Sequence, residues 1–113
     1  MRKPRLARNT ILAVGLAGIL LSHGCGRKGV ERVHRVEIKG MAYAPAELTV
    51  APGDTVVWTN HDIVPHTVTA DTRQFDSGSL SPSAEWSFVV RDRGRIPYAC
   101  TFHPAMKAVL VAK

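Results

Sequence analysis

The sequence has few of the residues and patterns that define several large protein classes. It contains only two cysteines, which excludes a disulfide-rich scaffold, and only two Trp, two Tyr and three Phe. No apolar stretch reaches the roughly 20 residues that a transmembrane helix needs, and no useful stretch has the period of a helix. Basic and aromatic residues form no common stripe, so the sequence does not indicate a nucleic-acid-binding protein.

The first 24 residues have the composition of an export signal. Four basic residues precede an apolar run at residues 11–21, and the small residues Ser22 and Gly24 follow it. The four basic residues account for most of the formal net charge of +6, so the high pI says little about the rest of the chain. We predict a signal peptide at 1–24, a tether at 25–34 and a folded domain at 35–113.

Cys25 directly follows this signal and resembles the acylated cysteine of bacterial lipoproteins. The usual lipoprotein signal has leucine three residues before the cysteine, where this sequence has Ser22. Ordinary cleavage would instead leave a periplasmic protein with a spare thiol, and a retained anchor is a third alternative. We expect an exported protein, either periplasmic or attached to the membrane through a lipidated Cys25. A disulfide between Cys25 and Cys100 is disfavoured, because Cys25 precedes any core.

The rest of the sequence has the pattern of short β-strands separated by turns. Apolar and polar residues alternate around Val36 and again in residues 85–90, and Pro52-Gly53-Asp54 marks a turn. Such segments recur at intervals near ten residues and predict an all-β sandwich. Residues 71–83 are predicted to form a loop with one short edge strand around Phe75. The predicted strands are near 36–38, 47–51, 55–60, 66–70, 85–90, 96–100 and 107–112. The predicted core is Val36, Ile38, Leu48, Val50, Val56, Trp58, Val68, Trp86, Phe88, Val90, Tyr98, Val109 and Val111.

A thiol, an imidazole and a thioether recur at intervals of three residues in Cys100, His103 and Met106. Taken alone, a buried cysteine is usually a small hydrophobic residue, and a lone histidine is usually at the surface. The three occur together on one short loop between two predicted strands, and Pro104 follows the histidine. This combination indicates a metal site.

The fourth ligand is expected from another part of the sheet. His66 follows Pro65, which restricts its approach, and precedes a strand that begins with Thr67. His34 lies in the tether or the first strand and His61 in a polar turn, so both are expected to be solvated. We therefore predict His66 as the remaining ligand.

The ligand set predicts the metal. Two imidazoles and a thiolate with a weak axial methionine define a blue-copper site. Structural zinc is the alternative, but zinc prefers four Cys, His or carboxylate ligands and gains little from a thioether. We predict one type 1 copper ion bound by His66, Cys100, His103 and Met106.

Residues 41–60, together with 65–68 and 100–106, resemble the plastocyanin family of cupredoxins. The short spacing of the Cys-x-x-His-x-x-Met loop resembles the amicyanin branch, and the resemblance covers residues 35–113. It implies a Greek-key sandwich of seven to eight strands with one type 1 copper. It also implies a carrier of single electrons between redox proteins, such as a cytochrome or a dehydrogenase. Phe102 departs from the pattern, because many relatives have proline there.

The resemblance also implies roles for residues around the ligands. His103 would be the electron port, and its docking rim would be Phe102, Pro104 and Ala105. Thr67 and Thr101 directly follow two ligands, so a hydrogen bond between the ligand loops is expected from them. Together with Pro65 they would form the layer that supports the ligands.

Two other functions remain to be weighed. A copper-storage, delivery or resistance protein could use the same fold, but such proteins favour clusters of exposed Met or His. This sequence has only Met41 and Met106 after the predicted signal. A copper oxidase or nitrite reductase needs further copper centres and an open coordination position, which four protein ligands do not leave. We therefore expect an electron carrier and not an enzyme.

Overall fold

A computed structural model of the chain describes residues 30–113 together with Arg2. The remainder of the predicted signal peptide and residues 25–29, including Cys25, lie outside the described residues. In the part of the chain that the structure describes, no helix is long and apolar enough to cross a membrane.

Residues 30–113 contain eight β-strands and no helix. The prediction of an all-β protein with seven to eight strands is confirmed. In chain order the strands are β1 (Val33–Lys39), β2 (Ala42–Ala44), β3 (Glu47–Val50), β4 (Thr55–Asn60), β5 (Thr69–Ala70), β6 (Glu85–Val89), β7 (Gly94–Ala99) and β8 (Lys107–Ala112).

The strands form two four-stranded sheets. One sheet has the order β2-β1-β4-β6, and the other has the order β3-β8-β7-β5. β1 pairs with β4 in parallel, and β3 pairs with β8 in parallel, whereas the other pairings are antiparallel. The sheets enclose one continuous apolar core.

Three elements differ from the sequence-based expectation. β1 begins at Val33, two residues before the predicted start of the domain. The predicted strand at 66–70 is shortened to β5, because His66 leaves the sheet and makes a single bridge with Leu80. β2 was not predicted, because three residues are too few to show an alternating pattern.

Trp58 lies at the centre of the core and is fully buried. Most of the predicted core residues are buried, while Leu48, Trp86 and Phe88 are half-buried and pack against the cluster. The prediction of Val111 as a core residue was wrong: it is half-buried, and the neighbouring Leu110 is fully buried instead. Successive strand residues face opposite sides, and an unbroken apolar run does not show which side faces inward.

The loop at 71–83 contributes more to the core than its polar composition indicates. Phe75 is 5% exposed, and its ring centroid lies 4.7 Å from that of Phe88 and 5.9 Å from that of Trp58. In place of the predicted edge strand, a single bridge joins Thr69 and Asp76. The loop thus closes one side of the sandwich over the aromatic cluster.

Asp54 fastens the start of β1 to the turn before β4. Its carboxylate accepts the amides of Arg32 at 3.1 Å and Ala51 at 3.0 Å, and it lies 2.8 Å from Nε2 of His34. The prediction that His34 is solvated was therefore wrong, because its side chain is only 22% exposed and is paired with a buried carboxylate. His61 is 44% exposed, as expected for a residue of a polar turn.

We expect this carboxylate to make stability depend on pH in the acidic range. The amide of Ala51, followed by the His34 side chain, holds the pKa of Asp54 below its usual value. A lowered folded-state pKa stabilises the protein above the unfolded-state pKa of about 4, and the contribution is lost as pH falls through the folded-state pKa. Asp54→Asn should lower the free energy of unfolding of the copper-free protein at pH 7 by about 1–3 kcal/mol, because an amide accepts fewer of these bonds.

The measurement is urea denaturation of the wild-type protein and Asp54→Asn at pH 7 and pH 3. The difference between the two proteins should shrink at pH 3. An unchanged difference would mean that the charge of Asp54 contributes nothing to stability.

Candidate metal centre

The loop between β7 and β8 holds three of the four predicted ligands. The Cys100 amide donates to the carbonyl of Met106 at 3.1 Å, and the Met106 amide donates to the carbonyl of His103 at 2.9 Å. These two bonds close residues 100–106 into a compact loop between paired strands. Cys100 and Met106 are buried, and His103 is half-buried.

His66 reaches the same place from a different part of the chain. Its amide donates to the carbonyl of Leu80 at 3.2 Å, and the Leu80 amide donates back at 2.7 Å. This bridge holds the backbone of His66 against the 71–83 loop, and its imidazole is fully buried. Pro65, just before it, is exposed.

The structure brings His66, Cys100 and His103 together, with ligand atoms that all lie within 4.8 Å of one another. The sulfur of Cys100 lies 3.8 Å from Nδ1 of His66 and 3.7 Å from Nδ1 of His103. A shared ion with bonds of about 2.3 Å to sulfur and about 2.0 Å to nitrogen, in a trigonal arrangement, would place these atoms roughly 3.7 Å apart. The three side chains therefore have the spacing of ligands to a single ion.

The chemistry of the donors fits one type 1 copper. A thiolate and two imidazoles from Cys100, His66 and His103 would provide the three strong donors of a blue-copper site. Met106, 5% exposed at the end of the same loop, would provide the soft thioether of such a site. No carboxylate belongs to the group of ligand atoms among the described residues.

Thr67 links the two ligand-bearing segments. Its amide donates to the sulfur of Cys100 at 3.3 Å, and its hydroxyl oxygen accepts the amide of Thr101 at 2.8 Å. The two threonine hydroxyls lie 3.2 Å apart. The structure thus places Thr67 and Thr101 in contact beside the ligands. The sequence does not reveal the amide-to-sulfur bond, because it depends on the backbone.

Asp62, which was not among the predicted site residues, contacts the predicted ligand His66. Its carboxylate lies 2.8 Å from Nε2 of His66, which leaves Nδ1 of that ring facing Cys100. The amide of Met41 is the main reason that the pKa of Asp62 lies below its usual value, so the carboxylate is charged at neutral pH. An acidic residue four positions before a metal-binding histidine was the available signal.

The side chain of Tyr43 contacts the backbone next to His66. Its hydroxyl donates to the carbonyl of Thr67 at 2.5 Å, and burial is the largest cause of its raised pKa. Its ring packs edge-on against Tyr98 with centroids 4.8 Å apart, and burial also raises the pKa of Tyr98 to about 12. Both phenols therefore stay neutral next to the ligand-bearing strand.

An apolar surface surrounds the exposed edge of His103. Phe102 is 52% exposed, and Pro104 and Ala105 are also exposed. A shallow groove of about 430 Å³ lies here. Met41, an exposed apolar residue of the β1–β2 turn, also lines this groove. We define the docking face as Met41, Phe102, Pro104 and Ala105.

The chain belongs to the cupredoxin-like domain family, whose model matches residues 10–112. Among characterised proteins it is similar to the amicyanins. It is 33% identical to amicyanin from Paracoccus denitrificans over 88 residues, and 26% identical to amicyanin from Paracoccus versutus over 83 residues. Each match covers 69% of this chain and 63% of the relative, so the chain spans somewhat less than two thirds of these relatives.

Solved structures give the same result. A Cu(I) structure of an amicyanin variant matches with a TM-score of 0.67 and 29% identity, covering 72% of this chain and 82% of that one. A purple cupredoxin from Nitrosopumilus maritimus matches with a TM-score of 0.66 and 26% identity, covering 71% and 99%. The predicted resemblance to the cupredoxins, and to amicyanin in particular, is confirmed.

Proposed function

We propose that this protein is a blue-copper electron carrier that exchanges single electrons with other redox proteins. The observation that carries the proposal is the convergence of the Cys100 sulfur and the Nδ1 atoms of His66 and His103 at the spacing of ligands to one ion. The likeness to proteins named amicyanin, one solved in a Cu(I) state, supports it.

The chain's own residues divide the work of such a carrier. When bound, copper would supply a one-electron couple. Cys100 and the two histidines hold the ion in a set of donors that suits both of its oxidation states. Two contacts hold the buried His66: its backbone bonds with Leu80, and its ring lies at hydrogen-bond distance from Asp62. His103 differs from His66 because its edge reaches the surface, so it is the shortest route for an electron to a partner.

The docking face indicates how partners bind. Weak redox encounters bury small interfaces, and a small apolar face with the port in it suits an encounter that must end quickly. Redox proteins such as a cytochrome or a dehydrogenase are the proposed partners. We also propose that the protein is exported to the periplasm, as the composition of residues 1–24 indicates, with membrane attachment through Cys25 as the alternative.

The proposal is tested by loading the purified protein with copper. We expect one copper per chain, an intense visible absorption from the copper–thiolate bond, and a reversible one-electron wave in voltammetry. A colourless copper-loaded protein, or the absence of a reversible wave, would refute the proposal.

A copper-handling protein is the second candidate, and the same material separates the two. Rapid exchange of copper with a competing chelator, without reversible electron transfer, would favour storage or delivery. A solved copper-containing nitrite reductase also matches, at 22% identity, but this chain covers only 22% of it, so that match shows the fold alone. Turnover of nitrite or oxygen by the purified protein would favour an enzyme.

Electron self-exchange tests the docking face without a known partner, because two copies of the protein can meet through it. Phe102→Lys places a charge on the face, so that two approaching copies repel each other. We expect the self-exchange rate, measured by NMR line broadening in partly oxidised protein, to fall about tenfold or more at low salt. The visible spectrum should stay the same.

Val30→Lys is the matched control. Val30 is also an exposed apolar residue, 82% exposed, but it lies beside Asp54 and Lys113 at the far end of the sandwich. Its replacement should leave the self-exchange rate within about twofold of the wild-type rate. Equal losses in the two variants would show that net charge, and not the docking face, controls the encounter.

A further inference from the structure

One carboxylate contacts both the docking face and a copper ligand. Oδ1 of Asp62 accepts the amide of Gly40 at 2.7 Å, and Oδ2 accepts the amide of Met41 at 2.9 Å. The same Oδ2 lies 2.8 Å from Nε2 of His66. The β1–β2 turn, which carries Met41 of the docking face, is therefore one side chain away from the metal centre.

The turn depends on this carboxylate for its conformation. Gly40 and Met41 have φ values of 62° and 61°. A non-glycine residue rarely adopts this left-handed region unless its surroundings hold it there. The two bonds from Asp62 provide that restraint, and no other side-chain bond to these two amides is found in the described part of the chain.

The backbone of Asp62 is held in place by the side chain of Asn60. Its amide donates to the side-chain oxygen of Asn60 at 2.9 Å, and Asn60 is fully buried. The amide group of Asn60 donates to the carbonyls of Val64 and Leu80, both at 2.9 Å. With its backbone fixed in this way, the carboxylate cannot follow a displaced turn without changing its bond to His66.

We propose that Asp62 is a positioning residue that couples the Gly40–Met41 turn to the copper ligand His66, so that displacement of the turn changes the reduction potential. The proposal rests on the proposed function, because it assumes that His66 binds copper. A carboxylate bonded to the far nitrogen of a ligand histidine fixes the ring orientation and makes the imidazole a stronger donor. An imidazole that is a stronger donor, with a negative charge beside it, favours the higher oxidation state of copper. Weakening the bond between Asp62 and His66 therefore raises the reduction potential.

The first experiment is a double-mutant cycle read out by voltammetry. Asp62→Asn removes the charge, and the amide cannot accept all three bonds. The variant should therefore raise the reduction potential by about 59 mV or more, which is a tenfold change in the equilibrium constant of a one-electron reduction. Gly40→Ala strains the turn without a clash, since an added Cβ has nothing within 4 Å. Gly40→Ala should shift the reduction potential of the wild-type protein, and it should have less than half that effect when it is combined with Asp62→Asn.

Gly94→Ala is the control for strain alone. Gly94 also has positive φ and open space around an added Cβ, but it lies at the other end of the sandwich, opposite Ala112. Its replacement should leave the potential unchanged in both backgrounds. An equal effect of Gly40→Ala with and without Asp62, or an unchanged potential in Asp62→Asn, would overturn the coupling.

The second experiment uses only the wild-type protein, so it stands even if Asp62→Asn does not fold. Hydrogen exchange of backbone amides is compared between copper-free and Cu(I)-loaded protein. Loading should slow the amides of Gly40 and Met41 about tenfold more than that of Gly53, which donates to the carbonyl of Val90 far from the site. Equal slowing of all three would show general stabilisation and no coupling through Asp62.

The two proposals fail in different ways. A copper-loaded wild-type protein without colour would refute the blue-copper function itself. A blue, redox-active protein whose reduction potential is unchanged by substitutions at Asp62 and in the turn would refute only the coupling.

Discussion

Cys100→Ala should abolish the visible absorption of the copper-loaded protein and with it the reversible one-electron wave. The sulfur of Cys100 lies 3.8 Å from Nδ1 of His66 and 3.7 Å from Nδ1 of His103, and it accepts the amide of Thr67. Alanine leaves two imidazoles and a thioether, a set without the charged donor that selects copper in this geometry. Copper should therefore bind at least a hundredfold more weakly, about 2.7 kcal/mol.

The measurement is a copper titration followed by visible absorption and voltammetry. Cys25→Ser is the matched control, because it removes the only other cysteine in the sequence and should keep the colour and the wave. Copper-free Cys100→Ala should also remain folded in the absence of denaturant. Retained colour in Cys100→Ala would show that another residue supplies the absorption, and it would refute Cys100 as the copper ligand.

Trp58→Ala should have the largest effect on stability. Trp58 is fully buried on β4, with its ring 5.6 Å from the rings of both Trp86 and Tyr98, and its Nε1 donates to the Tyr98 hydroxyl at 3.2 Å. Truncation would leave a large cavity and an unpaired buried hydroxyl. We expect a loss of about 3–5 kcal/mol in the free energy of unfolding, a large part of the total for a small domain.

Urea denaturation of the copper-free protein measures this loss. Trp86→Ala, on the edge strand β6, removes the same side chain from a half-buried position and should cost clearly less. A loss below about 2 kcal/mol for Trp58→Ala, or equal losses for the two variants, would show that the aromatic cluster does not depend on its centre.

Much of this architecture is readable in the sequence because it repeats local rules. Alternation around Val36 and in β6 predicts strands with one buried face, and the Cys-x-x-His-x-x-Met spacing predicts a ligand loop. His66 could be separated from His61 because a proline and a β-rich segment flank it. In each case a local pattern is enough, since the physical cause lies within a few residues of its effect.

The missed features depend on residues that are distant in sequence. Asp62 meets His66 through a local spacing, but its bonds to Gly40 and Met41 need the β1–β2 turn to pack against the 61–65 loop. Phe75 lies in a polar loop, and only the assembled sandwich shows that it covers Trp58. Val111 was misassigned because it lies in a run of five apolar residues, 108–112, in which no polar residue shows which side of the strand faces the core.

The pairing of β5 with β7 makes the metal centre depend on a long-range contact of the fold. It places Thr69 beside Ala99, and so brings together His66 and Cys100, which are 34 positions apart in the sequence. The entropy of closing the intervening chain must be lost before this contact forms. We therefore expect a partly folded chain, in which β5 and β7 are not yet paired, to present no assembled copper site.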